Sequence, residues 1–172
     1  MYIELLILMQ IEQSPKHGYE IKKEIERDLG YLTDVNHNML YPTLRRFTEQ
    51  GFVTKQVNEQ AGRPNQVVYE ITESGKKEIK AFIRRLSEKD ARHQIEFLIK
   101  VSLFERIPTE DQLRILKRRQ MDLESLCENL MNRQDIHTQD DWYKKEVLEL
   151  SIHQIKQELE WIQKLIDKVH ML

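Results

Sequence analysis

Asn38-Met39-Leu40-Tyr41-Pro42-Thr43-Leu44-Arg45-Arg46-Phe47-Thr48-Glu49-Gln50-Gly51 is the stretch whose reading decides the fold. Wound as a helix, it places Leu40, Leu44 and Phe47 on one stripe. Asn38, Arg45 and Arg46 then project roughly opposite, with Tyr41 and Thr43 on the flanks. A short helix with a buried apolar edge and a basic, hydrogen-bonding outer face suits a DNA major groove. Asn36-His37-Asn38 suits an N-cap, and Gly51 is placed to end the helix. Pro42 constrains the start, because proline removes a backbone donor beyond the first turn and biases Tyr41 away from the α region. Either a regular helix begins near Met39, or an irregular first turn holds Tyr41 exposed.

Upstream, Ile3, Leu6, Ile7 and Ile11 recur at helical spacing, with Leu5, Leu8 and Met9 filling in. A helix apolar nearly all round is buried on several sides. Ser14-Pro15-Lys16-His17-Gly18 breaks it. A second helix follows, with Ile21, Ile25 and Leu29 inward and Gly30 placed to terminate it. Downstream of Gly51, Phe52–Val57 and Gln66–Thr72 read as strands, with Val67, Tyr69 and Ile71 alternating on one face. The polar loop between them holds Gly62 and Pro64. Three helices and a hairpin, in that order, form a winged helix-turn-helix with the third helix as reader and the hairpin as wing.

The DNA-contacting candidates are therefore Asn36, His37, Asn38, Tyr41, Thr43, Arg45 and Arg46 on the reader, Lys55 on the first strand, and Gly62 and Arg63 at the wing tip. Arg and Asn read the edges of G and A bidentately, and a wing Arg can enter a narrow minor groove. Net charge gives no global attraction: the chain carries −2, and residues 1–80 hold 11 basic against 12 acidic side chains. The positive surface is local. Between 36 and 69, Arg45, Arg46, Lys55 and Arg63 outnumber Glu49 and Glu59.

The remainder reads as helix. Thr72-Glu73-Ser74-Gly75 opens one with Ile79, Phe82, Ile83 and Leu86 inward. Ala91–Ile107 carries Ile95, Leu98, Ile99, Ser102 and Leu103, and Pro108 stops it. Thr109 with Gln112 matches a capping box, followed by a stripe of Leu113, Leu116, Gln120, Leu123, Cys127 and Leu130. Arg133–Asp141 is read as a hinge. The last helix repeats coiled-coil steps: Leu148, Ile152, Ile155, Leu159, Ile162, Ile166 and Val169. That stripe could close on the preceding helix. A second copy is the preferred partner, because two readers must sit about one turn of DNA apart to engage both half-sites. Leu148, Ile152, Ile155, Leu159, Ile162 and Ile166 are thus the dimerisation candidates. Trp142 and Trp161 read as packing anchors, or as walls of a hydrophobic effector pocket.

Other function classes lose support. The single Cys127 cannot form an intramolecular disulfide and sits on an apolar stripe. None of the six histidines has an HxH, HExxH or CxxC companion, so no metal is expected. Phosphate loops, dinucleotide fingerprints and nucleophile elbows are missing, so neither a cofactor nor an enzyme is expected. Tyr2–Ile11 contains Glu4 and is too short to span a bilayer. A cytoplasmic protein without membrane partners is the expectation.

Certain strings go further. Leu6–Leu8, His17-Gly18-Tyr19-Glu20-Ile21, Leu40-Tyr41-Pro42 with Leu44 and Gly51, and Gly62-Arg63-Pro64 with Tyr69, Ile71-Thr72 and Gly75 resemble the PadR family of bacterial winged-helix regulators. Glu96-Phe97-Leu98-Ile99-Lys100 and Leu159-Glu160-Trp161-Ile162 resemble its longer members, which carry a virulence-activator-like C-terminal helical domain. The resemblance implies a homodimeric DNA-binding repressor acting on a palindromic operator and released by a small aromatic or hydrophobic effector. It places Tyr41 and its helix start on DNA, and Gly62-Arg63 at the wing tip. Three departures stand out: Asn38 where the family often has Gly, Phe47-Thr48 where it has Leu-Glu, and no Trp in the first wing strand. The expected fold is mainly α, with a winged helix-turn-helix domain over residues 1–86 and a C-terminal α-helical, coiled-coil-like dimerisation domain over 87–172. The alternative is a helical interaction module whose winged domain binds protein rather than DNA.

Overall fold

A computed structural model of the chain describes residues 2–58, 66–85, 93–132 and 142–171, without the side chains of Asn58 and Gln66. In chain order the described elements are α1 Tyr2–Gln13, β1 Lys16–His17, α2 Gly18–Leu29, α3 His37–Glu49, β2 Val53–Asn58, β3 Gln66–Ile71, α4 Glu73–Arg84, α5 Gln94–Val101, a 3-10 turn Phe104–Arg106, α6 Thr109–Met131 and α7 Trp142–His170. They form two compact units: Met1–Arg85 with Ile95–Arg106, and Leu86–Gln94 with Ile107–Leu172.

In the first unit α1 is the central pillar. It buries Ile3, Leu5, Leu6, Ile7, Leu8 and Ile11, as its all-round apolar sequence requires; each such side chain stabilises by about 1.5–3 kcal/mol. Against it pack Ile21 and Ile25 of α2, Leu40, Leu44 and Phe47 of α3, and Ile79, Phe82 and Ile83 of α4. The sheet is antiparallel with order β1-β3-β2. The hairpin register runs from Val53 opposite Ile71 to Asn58 opposite Gln66. Lys16 and His17, expected only to interrupt the helices, form a third strand opposite Tyr69 and Val68. Burying Lys16 there is tolerable because its ammonium donates to the Gln10 carbonyl at 2.7 Å and to Ser14 Oγ at 3.0 Å. Glu24 supplies the counter-charge at 3.1 Å.

Contrary to both expected starts, α3 begins at His37 and runs unbroken through Pro42. Asn36 caps it, its Oδ1 accepting from the Met39 amide at 3.0 Å. Pro42 has no N–H for the Asn38 carbonyl, but that carbonyl lies at the exposed helix start, where water can serve it. The far end closes as a Schellman motif: Phe52 N–H donates to the Phe47 carbonyl, Gly51 N–H to that of Thr48, and Gly51 takes φ 73°. Thr72 locks this end to α4. Its hydroxyl donates to the Gly51 carbonyl at 2.7 Å and accepts from the Gly75 amide at 3.1 Å. A Cβ on Gly75 would run into the Phe52 carbonyl, so α4 starts in backbone contact with the end of α3.

The expected helix over Ala91–Ile107 is shorter, ending at Val101 before the 3-10 turn; its first residues lie outside those described, as does Leu86. The inward face is also rotated. Ile95 is exposed, while Glu96, Phe97, Ile99 and Lys100 are buried. The reason is an ion pair: Lys100 meets Glu96 at 3.3 Å and donates to the Arg85 carbonyl. Arg106 likewise pairs with Glu12 of α1. These contacts join 95–106 to the first unit, a different division from a boundary between residues 86 and 87.

In the second unit α6 and α7 pack along their length. The expected capping box does not form: Pro108 is the N-cap, and the Gln112 side chain donates to the Ile107 carbonyl instead. The buried face of α6 is Ile115, Leu116, Arg119, Leu123 and Cys127, facing Ile155, Ile162, Ile166 and Val169 of α7. Leu113, Gln120 and Leu130 of the expected stripe lie at its half-buried margins. The segment read as a hinge, 133–141, lies outside the described residues.

Candidate nucleic-acid interface

Burial of Leu40, Leu44 and Phe47 turns the opposite side of α3 outward. Asn38, Pro42, Arg45 and Glu49 form one exposed row, with Tyr41 beside it. Arg45 is the most exposed cation of the helix, at 82% of its side chain, and it pairs with Glu49 one turn on at 2.9 Å. An exposed pair of this kind contributes about 0.3–0.5 kcal/mol, so Arg45 can exchange Glu49 for a base or phosphate at small cost.

Tyr41 is positioned by a glycine. A Cβ on Gly18 would lie 2.8 Å from Tyr41 Cε1. Only a bare backbone at the start of α2 lets the phenol ring lie there, half exposed and stacked on His37 at 5.8 Å between centroids. Neighbouring Tyr69 feels this surface: burial, and secondarily Tyr41, raise its phenol above the usual value. His17 closes the patch, its Nδ1 3.0 Å from the Val67 carbonyl and its ring stacked on the exposed Tyr19. The helix-start triad Gly18, Tyr19 and His17 was not among the expected contact residues. Its only trace in the sequence is the His17-Gly18-Tyr19 string, whose purpose appears once Tyr41 lies over it.

Of the expected contacts, Asn36, His37, Asn38, Tyr41 and Arg45 share this surface, and Lys55 is exposed on β2. Gly62 and Arg63 lie outside the described residues. One assignment needs correction. Thr43 is 8% exposed and belongs to the core beside Leu44 and Phe47, since its position lies on the inward side of the helix rather than its flank. Arg46 is tied to the body of the unit: it pairs with Glu4 of α1 and lies over the Phe47 ring at 5.8 Å.

The C-terminal assignments also change. Ile155, Ile162 and Ile166 are buried within the chain against α6, and Leu148, Ile152 and Leu159 are half buried there. The preceding helix thus covers part of the stripe, and Leu148, Ile152 and Leu159 keep part of their surface open. A different row of α7 is left exposed: Tyr143, Val147 and Leu150. Trp142 is exposed and edge-on to Tyr143 at 4.7 Å, while Trp161 is half buried. On one helix at 1.5 Å per residue the two indoles are about 28 Å apart, so they cannot wall a single pocket within one chain.

Among the described residues, no group of His, Cys, Asp and Glu could hold a metal ion, and Cys127 is buried. No helix among them is long and apolar enough to cross a membrane.

Residues 7–81 match the model of the transcriptional regulator PadR-like family. The chain is 25% identical over 136 residues to the negative transcriptional regulator PadR of Bacillus subtilis (strain 168), covering 75% of each chain. It is 32% identical over 77 residues to the probable transcriptional regulator Rv1176c of Mycobacterium tuberculosis, covering 45% of this chain and 41% of that one. Among solved structures it is similar to Bacillus subtilis PadR in complex with operator DNA, at 19% identity and a TM-score of 0.48, covering 98% of this chain and 99% of that one. The same regulator in complex with p-coumaric acid gives 18% identity and a TM-score of 0.44, with 99% of each chain covered. The family match runs from within α1 through the hairpin into α4, so this three-helix and hairpin unit is a domain of the PadR-like family of transcriptional regulators.

Proposed function

We propose that the protein is a DNA-binding transcriptional repressor, cytoplasmic and acting as a homodimer on a palindromic operator. It is a regulator, not an enzyme. The observation that carries the reading is the outer row of α3, Asn38-Pro42-Arg45, flanked by a Tyr41 that Gly18 holds in place. Asn38 and Arg45 supply base-edge donors and acceptors, Tyr41 a phosphate donor, and Lys55 with Gly62-Arg63 the wing's backbone and minor-groove contacts. Asn36 serves the same site as the cap that orients the first turn, and His37 as the ring on which Tyr41 rests. One such unit makes few phosphate contacts and binds weakly at cellular salt. Pairing two copies through the second unit raises affinity by effective concentration. The exposed row Tyr143, Val147 and Leu150 is the surface suited to that pairing. A small aromatic or hydrophobic effector that weakens operator binding completes the reading, as the Bacillus subtilis relative's complex with p-coumaric acid suggests by analogy.

Fluorescence anisotropy on DNA from the regulated promoter, titrated over salt, tests it. Affinity should fall steeply and linearly on a log–log plot, with a slope of about −0.9 per neutralised phosphate. Absence of DNA binding at low salt would leave the protein-binding alternative. Leu150→Glu should convert a dimer to a monomer in light scattering and weaken operator binding in parallel.

A further inference from the structure

The second unit contains a cavity of about 550 Å³ between α6 and α7, large enough for a drug-sized ligand. Leu123, Leu126, Leu130 and Ile155 give it an apolar side, and Asn129 and Gln154 a hydrogen-bonding one. Trp142 and Trp161 do not line it. Its charged groups are Arg119, Asp122 and Glu158, and their pairing decides what it accepts.

Arg119 is committed. It is 3% exposed, and its Nε and Nη2 both lie 2.8 Å from Glu158 Oε1. The second oxygen of Glu158 accepts from the Gln94 amide at 3.0 Å. A carboxylate ligand reaching for this guanidinium must displace a buried carboxylate that already holds it. Asp122, by contrast, is at the rim, where it pairs with the exposed Arg118 at 3.2 Å. The lining therefore carries one positive and two negative charges, and its accessible charge is Asp122.

We propose that this cavity binds an amphipathic organic amine: an apolar or aromatic body against Leu123, Leu126, Leu130 and Ile155, and a protonated nitrogen at Asp122. The inference rests on the reading of the protein as an effector-responsive regulator and names the effector class, one opposite in charge to an aromatic acid. The two walls are the helices of the unit proposed to pair two copies, so occupancy bears on the spacing of that pair.

A matched pair of naphthalene probes tests it on the full chain without DNA: 2-(2-naphthyl)ethylamine and 3-(2-naphthyl)propionate, by calorimetry. The amine should bind about fivefold tighter than the acid, the size of one partly exposed charge pair. Asp122→Asn should bring the two near parity. Ser125→Trp, which fills the cavity from its rim, should abolish amine binding with the helical circular dichroism unchanged. The proposal is overturned if the acid binds as well as the amine, if neither binds at millimolar concentration, or if Ser125→Trp leaves amine binding intact. Operator affinity of the unliganded protein, measured separately, distinguishes the two failures: its loss sinks the repressor reading, whereas intact operator binding without amine preference sinks only the cavity.

Discussion

Gly18→Ala separates the folding role of that position from its role at the interface. The added carbon lies 2.8 Å from Tyr41 Cε1 and 3.2 Å from both Cζ and the hydroxyl oxygen. Non-bonded carbons rest at about 3.5–4.0 Å, so the ring must retreat by roughly 0.7–1.2 Å. Tyr41 is 46% exposed and can swing outward without opening the core. The fold loses nothing else, and Ala in place of Gly in a helix gains up to about 1 kcal/mol. Thermal stability should therefore hold or rise. The phenol, however, leaves the place proposed for its hydrogen bond to a phosphate. A hydrogen bond to a charged acceptor is worth about 1.5–3 kcal/mol; partial retention through relaxation leaves a loss of about 1–2 kcal/mol, roughly five- to thirtyfold in affinity per half-site. Anisotropy on operator DNA at fixed salt reads this directly, alongside Tyr41→Phe and the double variant. The double variant should bind no more weakly than the worse single, because both act through one hydroxyl. Wild-type affinity for Gly18→Ala beside a weakened Tyr41→Phe would refute the positioning role. So would a melting temperature lowered by several degrees, which would mean that Gly18 serves packing instead.

Arg45→Ala should cost about 1–3 kcal/mol of operator-specific binding, whereas Arg46→Ala should change binding little and stability by less than about 1 kcal/mol; competition titrations and thermal melts of the two variants give the comparison. Glu158→Leu should destabilise the second unit by about 3–5 kcal/mol through loss of the buried ion pair with Arg119, and adding Arg119→Met should recover most of it, as followed by urea unfolding. The raised phenol of Tyr69 has a stability consequence at high pH. Its folded value lies above the unfolded value of 10.0, so its contribution is complete below pH 10.0 and is lost as pH rises through the folded value. Alkaline melts should show that loss, and Tyr69→Phe should remove it; an unchanged alkaline profile in the variant would assign the loss to other groups.

Apolar periodicity carried most of the fold. Leu40, Leu44 and Phe47 define the inner side of α3, and Val67, Tyr69 and Ile71 the strand that pairs twice. Charged residues were where reading failed, for one physical reason. A lysine or arginine in isolation reads as solvated, and only a partner that the fold holds against it makes its burial tolerable. Lys16 with Gln10 and Glu24, Lys100 with Glu96 and the Arg85 carbonyl, and Arg119 with Glu158 are all of this kind. Arg46 keeps about half of its side chain exposed, and its partner Glu4 lies 42 residues away. Thr43 was misplaced for a milder reason: a hydroxyl at the edge of a helical stripe goes in or out according to its neighbours, which spacing does not name. The coiled-coil steps of α7 correctly demanded a packing partner, but periodicity does not distinguish a neighbour in the same chain from one in another.

The latch at Thr72 makes the reader and the wing a caliper of fixed opening. The axis of α3 and both wing strands depart from the same short run, Gly51 to Val53 on one side and Ile71-Thr72 on the other, and Thr72 pins that run by its hydroxyl and amide. Asn38 and Arg45 stand on the jaw of the caliper, remote from its pivot. Under the proposed reading, exchanging them changes the bases accepted and leaves the opening unchanged. Substitutions at Gly51, Thr72 or Gly75 have the reverse effect: the letters recognised stay the same, and the reach between groove and wing does not.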